Sequence, residues 1–230
     1  MNHNSFAIEN RAPDWQQIST ILLDMDGTLL DKYFDDYFWE TYVPLKYSQK
    51  NNLAHDHAQA ILLEQYNGVK GTLHWSDLNY WSDKLELNIA ELKKEIEHLI
   101  GLHPYVKEFL SFLVREKKQV YLITAAHPEA LKLKMEKVRM EGYFEQIICQ
   151  DQVGAAKEEL IFWQKLVQMI DFNKEQTLFA DDTLAVLKAA RQFGIRFLIH
   201  IAKPNSKQSP SFTDFCLSVE HFGQLKTFGR

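Results

Sequence analysis

The chain has 230 residues, with 26 Lys and Arg against 31 Asp and Glu, a formal net charge of −5 and 46% hydrophobic residues. That is enough apolar material for one large domain or a core with a smaller insert, and the acidic balance argues against a nucleic-acid backbone as partner, since such binding is driven by cationic patches. The first 20 residues lack the apolar stretch of a signal peptide, no run approaches the ~18 apolar residues of a membrane span, and Cys149 and Cys216 carry no metal-ligand spacing, so a reducing, cytoplasmic setting without membrane contact is expected.

The first predicted element is a strand at 21–25, which delivers Asp24 and Asp26 onto Gly27 and Thr28. Successive strand residues point to opposite faces, so the two carboxylates leave the same side. They repel each other and folding has no need of them, which points to chemistry with a cation close by. An Asp-Gly hairpin is the other reading, but 31–43 shows no period-two alternation to pair back against the strand. Tyr37 and Trp39 follow, either as hinge packing or as part of a wall on which a base stacks.

From there to the next strand lie about 95 residues, far more than a single crossover requires. Stretches at 55–66 and 76–87 read as amphipathic helices, so a helical cap inserted at 34–102 is expected, leaving 1–33 and 103–230 as the core. Trp75, Leu78, Trp81 or Ser82, and Leu85 recur at helical spacing, and the tryptophans on such a stripe are expected to fill the cap interior. His74, Asp77 and Asn79 carry groups able to hydrogen-bond a base, and Lys70 one able to meet a phosphate or ribose.

Strands are predicted again at 120–124, 146–150, 177–181 and 196–201, with helices at about 128–141, 157–170 and 183–193 between them. This alternation predicts an α/β fold, a doubly wound parallel sheet with helices on both faces. The second strand ends in Thr124-Ala125, and His127-Pro128 opens the next helix, where His127 serves as helix-end packing or as a substrate contact. Lys157 stands at the head of the 157–170 helix, against its macrodipole, an objection that a bound anion would remove. The fourth strand ends in Asp181-Asp182, and 203–213, with Pro204 and Pro210 among serines, reads as a surface loop. Ligands of such sheets collect outside the carboxyl ends of the strands near the switch point, so Asp24, Asp26, Thr124 and Asp181 can share one site.

The run Asp24-Met-Asp26-Gly27-Thr28, then Thr124, Lys157 and Asp181-Asp182 in that order, resembles the four motifs of the haloacid dehalogenase superfamily. The stretches 15–40, 72–82, 124–128 and 179–196 look more narrowly like the bacterial GMP/IMP nucleotidases of that superfamily. The resemblance implies a Rossmann-like core with an inserted cap and a Mg²⁺-dependent phosphomonoester hydrolase that works through an aspartyl phosphate on Asp24. It further implies Asp26 as general acid and base, and a metal held by the Asp24 carboxylate, the Asp26 backbone carbonyl and the Asp181 carboxylate, with Asp182 beside them. Thr124, the Ala125 amide and Lys157 would hold the phosphoryl oxygens, and the substrate would be a purine nucleoside monophosphate, GMP or IMP. Lys70, His74 and His127 are the candidate contacts to the rest of the substrate.

Two departures stand out. Ala125 replaces a residue that is often polar, and Gly154-Ala-Ala-Lys157 lacks the prolines that commonly stiffen that turn. The alternative is a sugar-phosphate phosphatase of the phosphoglycolate phosphatase or β-phosphoglucomutase type, because the core motifs are shared and only the cap differs. A binding module without activity is the non-enzymatic alternative, and the intact acidic and lysine motifs count against it.

Overall fold

The structure is a computed structural model that describes residues 13–225; the portions of the expected core at 1–12 and 226–230, and most of the first 20 residues, lie outside the described residues. Six strands, β1 (Thr20–Leu23), β2 (Gln119–Thr124), β3 (Gln146–Cys149), β4 (Thr177–Asp181), β5 (Phe197–Ile201) and β6 (Leu217–Val219), form one sheet in the order β3-β2-β1-β4-β5-β6, each neighbouring pair parallel. The chain winds outward from β1 in both directions, so the topological switch lies between β1 and β4.

The sheet is buried on both faces, and the period-two alternation of strand side chains explains how. Ile21 and Leu23 of β1, Val120 and Leu122 of β2, and Leu178 and Ala180 of β4 join one apolar cluster. Leu22, Tyr121, Ile123 and Phe179 join a second on the opposite face.

The helices are α1 (Tyr33–Tyr37), α2 (Val43–Asn51), α3 (His55–Val69), α4 (Leu78–Leu85), α5 (Ile89–Glu95), α6 (Val106–Arg115), α7 (Pro128–Val138), α8 (Gln150–Val153), α9 (Leu160–Met169) and α10 (Leu184–Phe193), with a π-helical turn at Phe38–Tyr42 joining α1 to α2. Helices α1 to α5 form the insertion between β1 and β2. The chain leaves and re-enters the core side by side: Leu30 bridges Leu102 in antiparallel fashion, the Asp31 amide donates to Gly101 O (2.9 Å) and the His103 amide to Leu29 O (2.9 Å). One apolar cluster runs from β1 through Phe34 and Phe38 to Trp81, Leu85 and Ile89, so the insertion is welded to that face of the sheet.

The five anticipated strands are present with ends shifted by a residue or two, which is the uncertainty inherent in fraying ends. The sixth, β6, is three residues long and mixes Ser218 with Leu217 and Val219, too short a signal to read in advance. Helix α6 was also not anticipated, although Val106, Phe109, Leu110 and Leu113 are buried at helical spacing.

Three expectations need correction. The 157–170 helix begins only at Leu160: Glu159 is extended and its carboxylate accepts from the Ala156 amide (2.9 Å), so Lys157 sits in the preceding turn and does not oppose a helix dipole. Trp75 lies in a 3₁₀ turn ahead of α4 and is 37% exposed; Leu78, Trp81 and Leu85 alone form the buried stripe, and the Trp81 indole donates to the Trp75 carbonyl. The 203–213 segment is largely exposed, yet Asn205 is buried and donates to Asp36 Oδ2 (2.7 Å), while the Pro204 carbonyl accepts from the Lys32 amide (2.8 Å) and pairs with His103 Nε2 (2.9 Å). The loop therefore pins the segment that follows β1.

Candidate active site

Asp24 directly follows β1, and its amide continues the ladder to Ala180 O (3.0 Å). Gly27 then turns the chain at φ +90°, where a Cβ would meet Asp182 Oδ2 at 2.6 Å. Only glycine allows that conformation together with that approach. Asp181 ends β4, with Oδ1 accepting from the Thr183 amide (2.7 Å), and the Asp182 carbonyl is held by His200 Nε2 from β5 (3.1 Å). One oxygen each of Asp24, Asp181 and Asp182 can be chosen so that all three lie within 4.8 Å of one another.

Lys157 reaches this cluster from the turn before α9. Its Nζ donates to Asp24 Oδ1 (2.5 Å) and Asp181 Oδ2 (2.8 Å), and its carbonyl is fixed by the indole N–H of Trp163 (2.9 Å). Burial alone would lower the lysine pKa, but the carboxylates of Asp181 and Asp24 override it and raise it, so the ammonium stays charged. Burial pushes the Asp24 carboxyl up to about 6, with the Asp181 charge adding and Lys157 opposing. The Asp182 carboxyl is pushed well above the usual range by burial and by the charges of Asp181 and Asp24.

Three carboxylates thus surround Lys157, with the charge of Lys32, itself paired with Asp36, also acting on Asp182, and Asp24 Oδ2 is buried with no hydrogen-bond partner. Hard oxygens in excess of the available positive charge, one of them unpartnered, fit a hard divalent cation such as Mg²⁺. Thr124 ends β2 on the neighbouring strand and is buried; its Oγ1 accepts from the Ala126 amide (3.0 Å), leaving the hydroxyl proton as a donor.

Asp26 lies apart from that cluster. Its carboxylate is ion-paired with Lys134 of α7 (2.7 Å), which also donates to Asp35 Oδ2 (2.6 Å), while Lys93 of α5 donates to Asp35 Oδ1 (2.7 Å). Burial, with the charges of Asp35 and Asp24, pushes the Asp26 carboxyl up to about 6 against the pull of Lys134. None of Lys134, Asp35 and Lys93 was singled out from the sequence. The one available signal was an unbroken aromatic and acidic run, Tyr33-Phe-Asp-Asp-Tyr37, directly after the first motif.

Of the remaining candidates, the structure brings the side chains of His127, Asn79 and Asp77 together and leaves those of His74 and Lys70 out of that group. His127 caps α7, its Nδ1 accepting from the Glu129 amide (3.3 Å), and its Nε2 lies 3.4 Å from Asn79 Nδ2 and 3.9 Å from Asp77 Oδ1. With Gln150 donating to Ser76 Oγ (3.1 Å), it spans the junction between the insertion and the core. The Asp77 carboxylate is used as the cap of α4. His74 is exposed and stacks on Tyr80 (4.7 Å), Lys70 is exposed at the end of α3, and Trp39 and Tyr66 pack edge-on in the aromatic cluster with Trp81, while Tyr37 packs on Tyr33 and Tyr42.

A doubly wound parallel sheet with clustered carboxylates and a lysine at the carboxyl ends of its central strands, and a helical insertion between its first two strands, has the architecture of a hydrolase of the α/β class. Residues 18–194 match the family described as haloacid dehalogenase-like hydrolase. The chain belongs to that family of hydrolases.

The chain is 36% identical over 208 residues to the GMP/IMP nucleotidase YrfG of Escherichia coli (strain K12), covering 87% of this chain and 94% of that protein. It is 20% identical over 180 residues to the phosphorylated carbohydrates phosphatase of Thermotoga maritima, covering 77% and 82%. Among solved structures, the HAD phosphatase from Thermococcus onnurineus superposes with a TM-score of 0.74 at 21% identity, over 91% of this chain and 96% of that one, a likeness of fold. No helix among the described residues is long and apolar enough to cross a membrane.

Proposed function

We propose that the chain is a Mg²⁺-dependent phosphomonoesterase that hydrolyses purine nucleoside 5′-monophosphates, GMP and IMP ahead of AMP. The observation that carries the chemistry is the buried Asp24–Lys157–Asp181 cluster with the orphaned Asp24 oxygen. The substrate class is supported by the 36% identity over nearly the whole length of a GMP/IMP nucleotidase.

In the first step a carboxylate oxygen of Asp24 attacks phosphorus and the bond from phosphorus to the 5′ oxygen breaks, with Asp26 giving its proton to that oxygen. An aspartyl phosphate and a free nucleoside result. In the second step Asp26 takes a proton from water as the water oxygen attacks phosphorus, the bond to Asp24 breaks, and inorganic phosphate leaves. Positioned acid–base groups of this kind contribute ~10²–10⁴-fold. Lys157, the Thr124 hydroxyl and the Ala125 amide hold the phosphoryl oxygens, and Asp24, the Asp26 carbonyl and Asp181 hold the metal, with Asp182 beside it. The bound cation supplies charge neutralisation between a phosphate dianion and the carboxylates.

The insertion at 34–102 acts as a cap over the core that flanks it, its limits falling beside the paired crossing of Leu30 and Leu102. Selectivity resides there, because the core contacts only the phosphoryl group. The 6-oxo group and N1–H shared by GMP and IMP are reversed in AMP, and an unpaired buried group costs about 1–3 kcal/mol, or roughly tenfold to a hundredfold in selectivity. Two buried unpaired cysteines, their thiols pushed up to about 11 by burial, accord with a reducing cytoplasmic setting.

The test is kcat/KM with Mg²⁺ over a panel of nucleoside monophosphates and sugar phosphates. The expected order is GMP and IMP, then AMP, then the rest. A sugar phosphate with a higher kcat/KM than GMP or IMP would replace this reading with the sugar-phosphate one, which the similarity to the T. maritima carbohydrate phosphatase supports.

A further inference from the structure

Beside the strand-end cluster runs a line of four charges, Lys93–Asp35–Lys134–Asp26, of which the proposed reaction uses only the last. The Lys93 and Lys134 side chains are 3% and 2% exposed, and the Lys93 ammonium stands over the rings of Phe38 (4.3 Å) and Phe34 (4.9 Å). Two cations meet two anions, so the line is closed in charge. Fold stability does not account for it, because buried ion pairs give back in desolvation most of what they gain, and apolar replacements of similar volume are often no worse.

Its geometry points at Asp26. Oδ1 of that carboxylate is fully buried against Lys134, so the 23% exposure of the side chain falls on its other atoms. A proton donor must hold its free oxygen within hydrogen-bond reach of the leaving oxygen, and a misplacement of about 1 Å costs on the order of a hundredfold. The line also joins three pieces of chain. Asp26 and Asp35 flank the turn after β1, Lys134 comes from the helix that follows Thr124, and Lys93 comes from the insertion.

We propose that Lys134, braced by Asp35 and through it by Lys93, is the positioning residue that turns the free oxygen of Asp26 toward the leaving group. This rests on the reading of Asp26 as proton donor. It assigns the line a task in the first chemical step only where the leaving oxygen needs a proton, which an aryl oxide does not and a nucleoside 5′ oxygen does.

The experiment compares kcat/KM, which reports the steps through leaving-group departure, on p-nitrophenyl phosphate and on whichever alkyl ester the substrate panel finds fastest. Asp26→Asn is the reference and is expected to lose at least about tenfold more on the alkyl ester than on the aryl one. Lys134→Met should reproduce that contrast with kcat falling more than KM rises, and Lys134→Arg should recover part of it. Equal losses of Lys134→Met on both esters, beside an intact Asp26→Asn contrast, overturn the positioning role and leave the proton-donor reading standing. Absence of the contrast in Asp26→Asn itself overturns both. Should Lys134→Met not fold, Asp35→Asn, which keeps the lysine but removes its brace, takes its place, with the same contrast supporting the proposal and equal losses overturning it.

Discussion

Two clusters of buried charge lie side by side at the carboxyl edge of this sheet, and they are built to opposite rules. Around Lys157, the carboxylates of Asp24, Asp181 and Asp182 outnumber the nearby cations even when Lys32, already paired with Asp36, is counted, and an oxygen of Asp24 is left without a partner. Around Lys134, two lysines meet two aspartates, and Asp35 has both oxygens bonded. The first is unfinished without something positive between its carboxylates and something anionic near its lysine. The second is balanced in charge as it stands, Asp26 Oδ1 being held by the ion pair to Lys134. Buried charge in surplus marks a place where a ligand enters, whereas buried charge in balance marks a place where geometry is held.

The sharpest way to break this contrast is Asp24→Asn, which keeps the shape but gives a poor nucleophile. Turnover should fall at least about a thousandfold, with the far-UV spectrum and melting temperature close to wild type; a purified variant retaining more than about a tenth of the activity would remove Asp24 as nucleophile.

Metal dependence separates the clusters next. Asp181→Ala should raise the Mg²⁺ concentration for half-maximal activity by about 10–100-fold, and the rise in melting temperature that Mg²⁺ gives the wild type should shrink accordingly. Lys93→Met should leave the metal midpoint where it is. A midpoint that moves with Lys93 and not with Asp181 would reverse the assignment of the two clusters.

The balanced cluster should instead show itself in acid. Burial would raise the Asp35 carboxyl, but Lys134 and Lys93 outweigh it and hold the group below the usual aspartate range. A carboxyl whose folded pKa is depressed stabilises the fold above its unfolded pKa, and that contribution is lost as pH falls toward the folded value. The gap in melting temperature between wild type and Asp35→Asn should therefore be widest at neutral pH and close below about pH 4. A gap that stays constant from pH 7 to pH 3 would show that the Asp35 charge contributes nothing.

The smallest effects belong to the exposed surface of the insertion. Lys70→Ala and His74→Ala should change kcat/KM for GMP by no more than about twofold, the size of an ordinary surface substitution. A tenfold rise in KM for GMP with an unchanged KM for p-nitrophenyl phosphate would instead make either one a contact to the nucleoside.

Strand periodicity and the rule that ligands gather at a switch point were enough to bring Asp24, Thr124 and Asp181 to one edge, because a residue at the end of a buried parallel strand has little freedom in where it goes. The turn at Gly27 belongs to the same legible set, whereas its close approach to Asp182 is visible only in the fold. Lys157 reaches Asp24 and Asp181 from a turn and not from a helix start, because nothing in the pattern 157–170 reveals that Glu159 turns back on Ala156.

What only the tertiary structure decided is the company of Asp26. Asp35 meets Lys93 across 58 positions of sequence and Lys134 across 99, contacts made between helices whose relative angle and depth depend on the packing of Phe34, Phe38 and Trp81 beneath them. Helical periodicity tells which face of a segment is apolar and leaves open which buried lysine meets which buried acid, since that is settled by the way one helix surface seats on another. The same holds for His127 and Asn79: each could be placed at a helix start, but their meeting across the junction of core and insertion is a property of the docked helices alone.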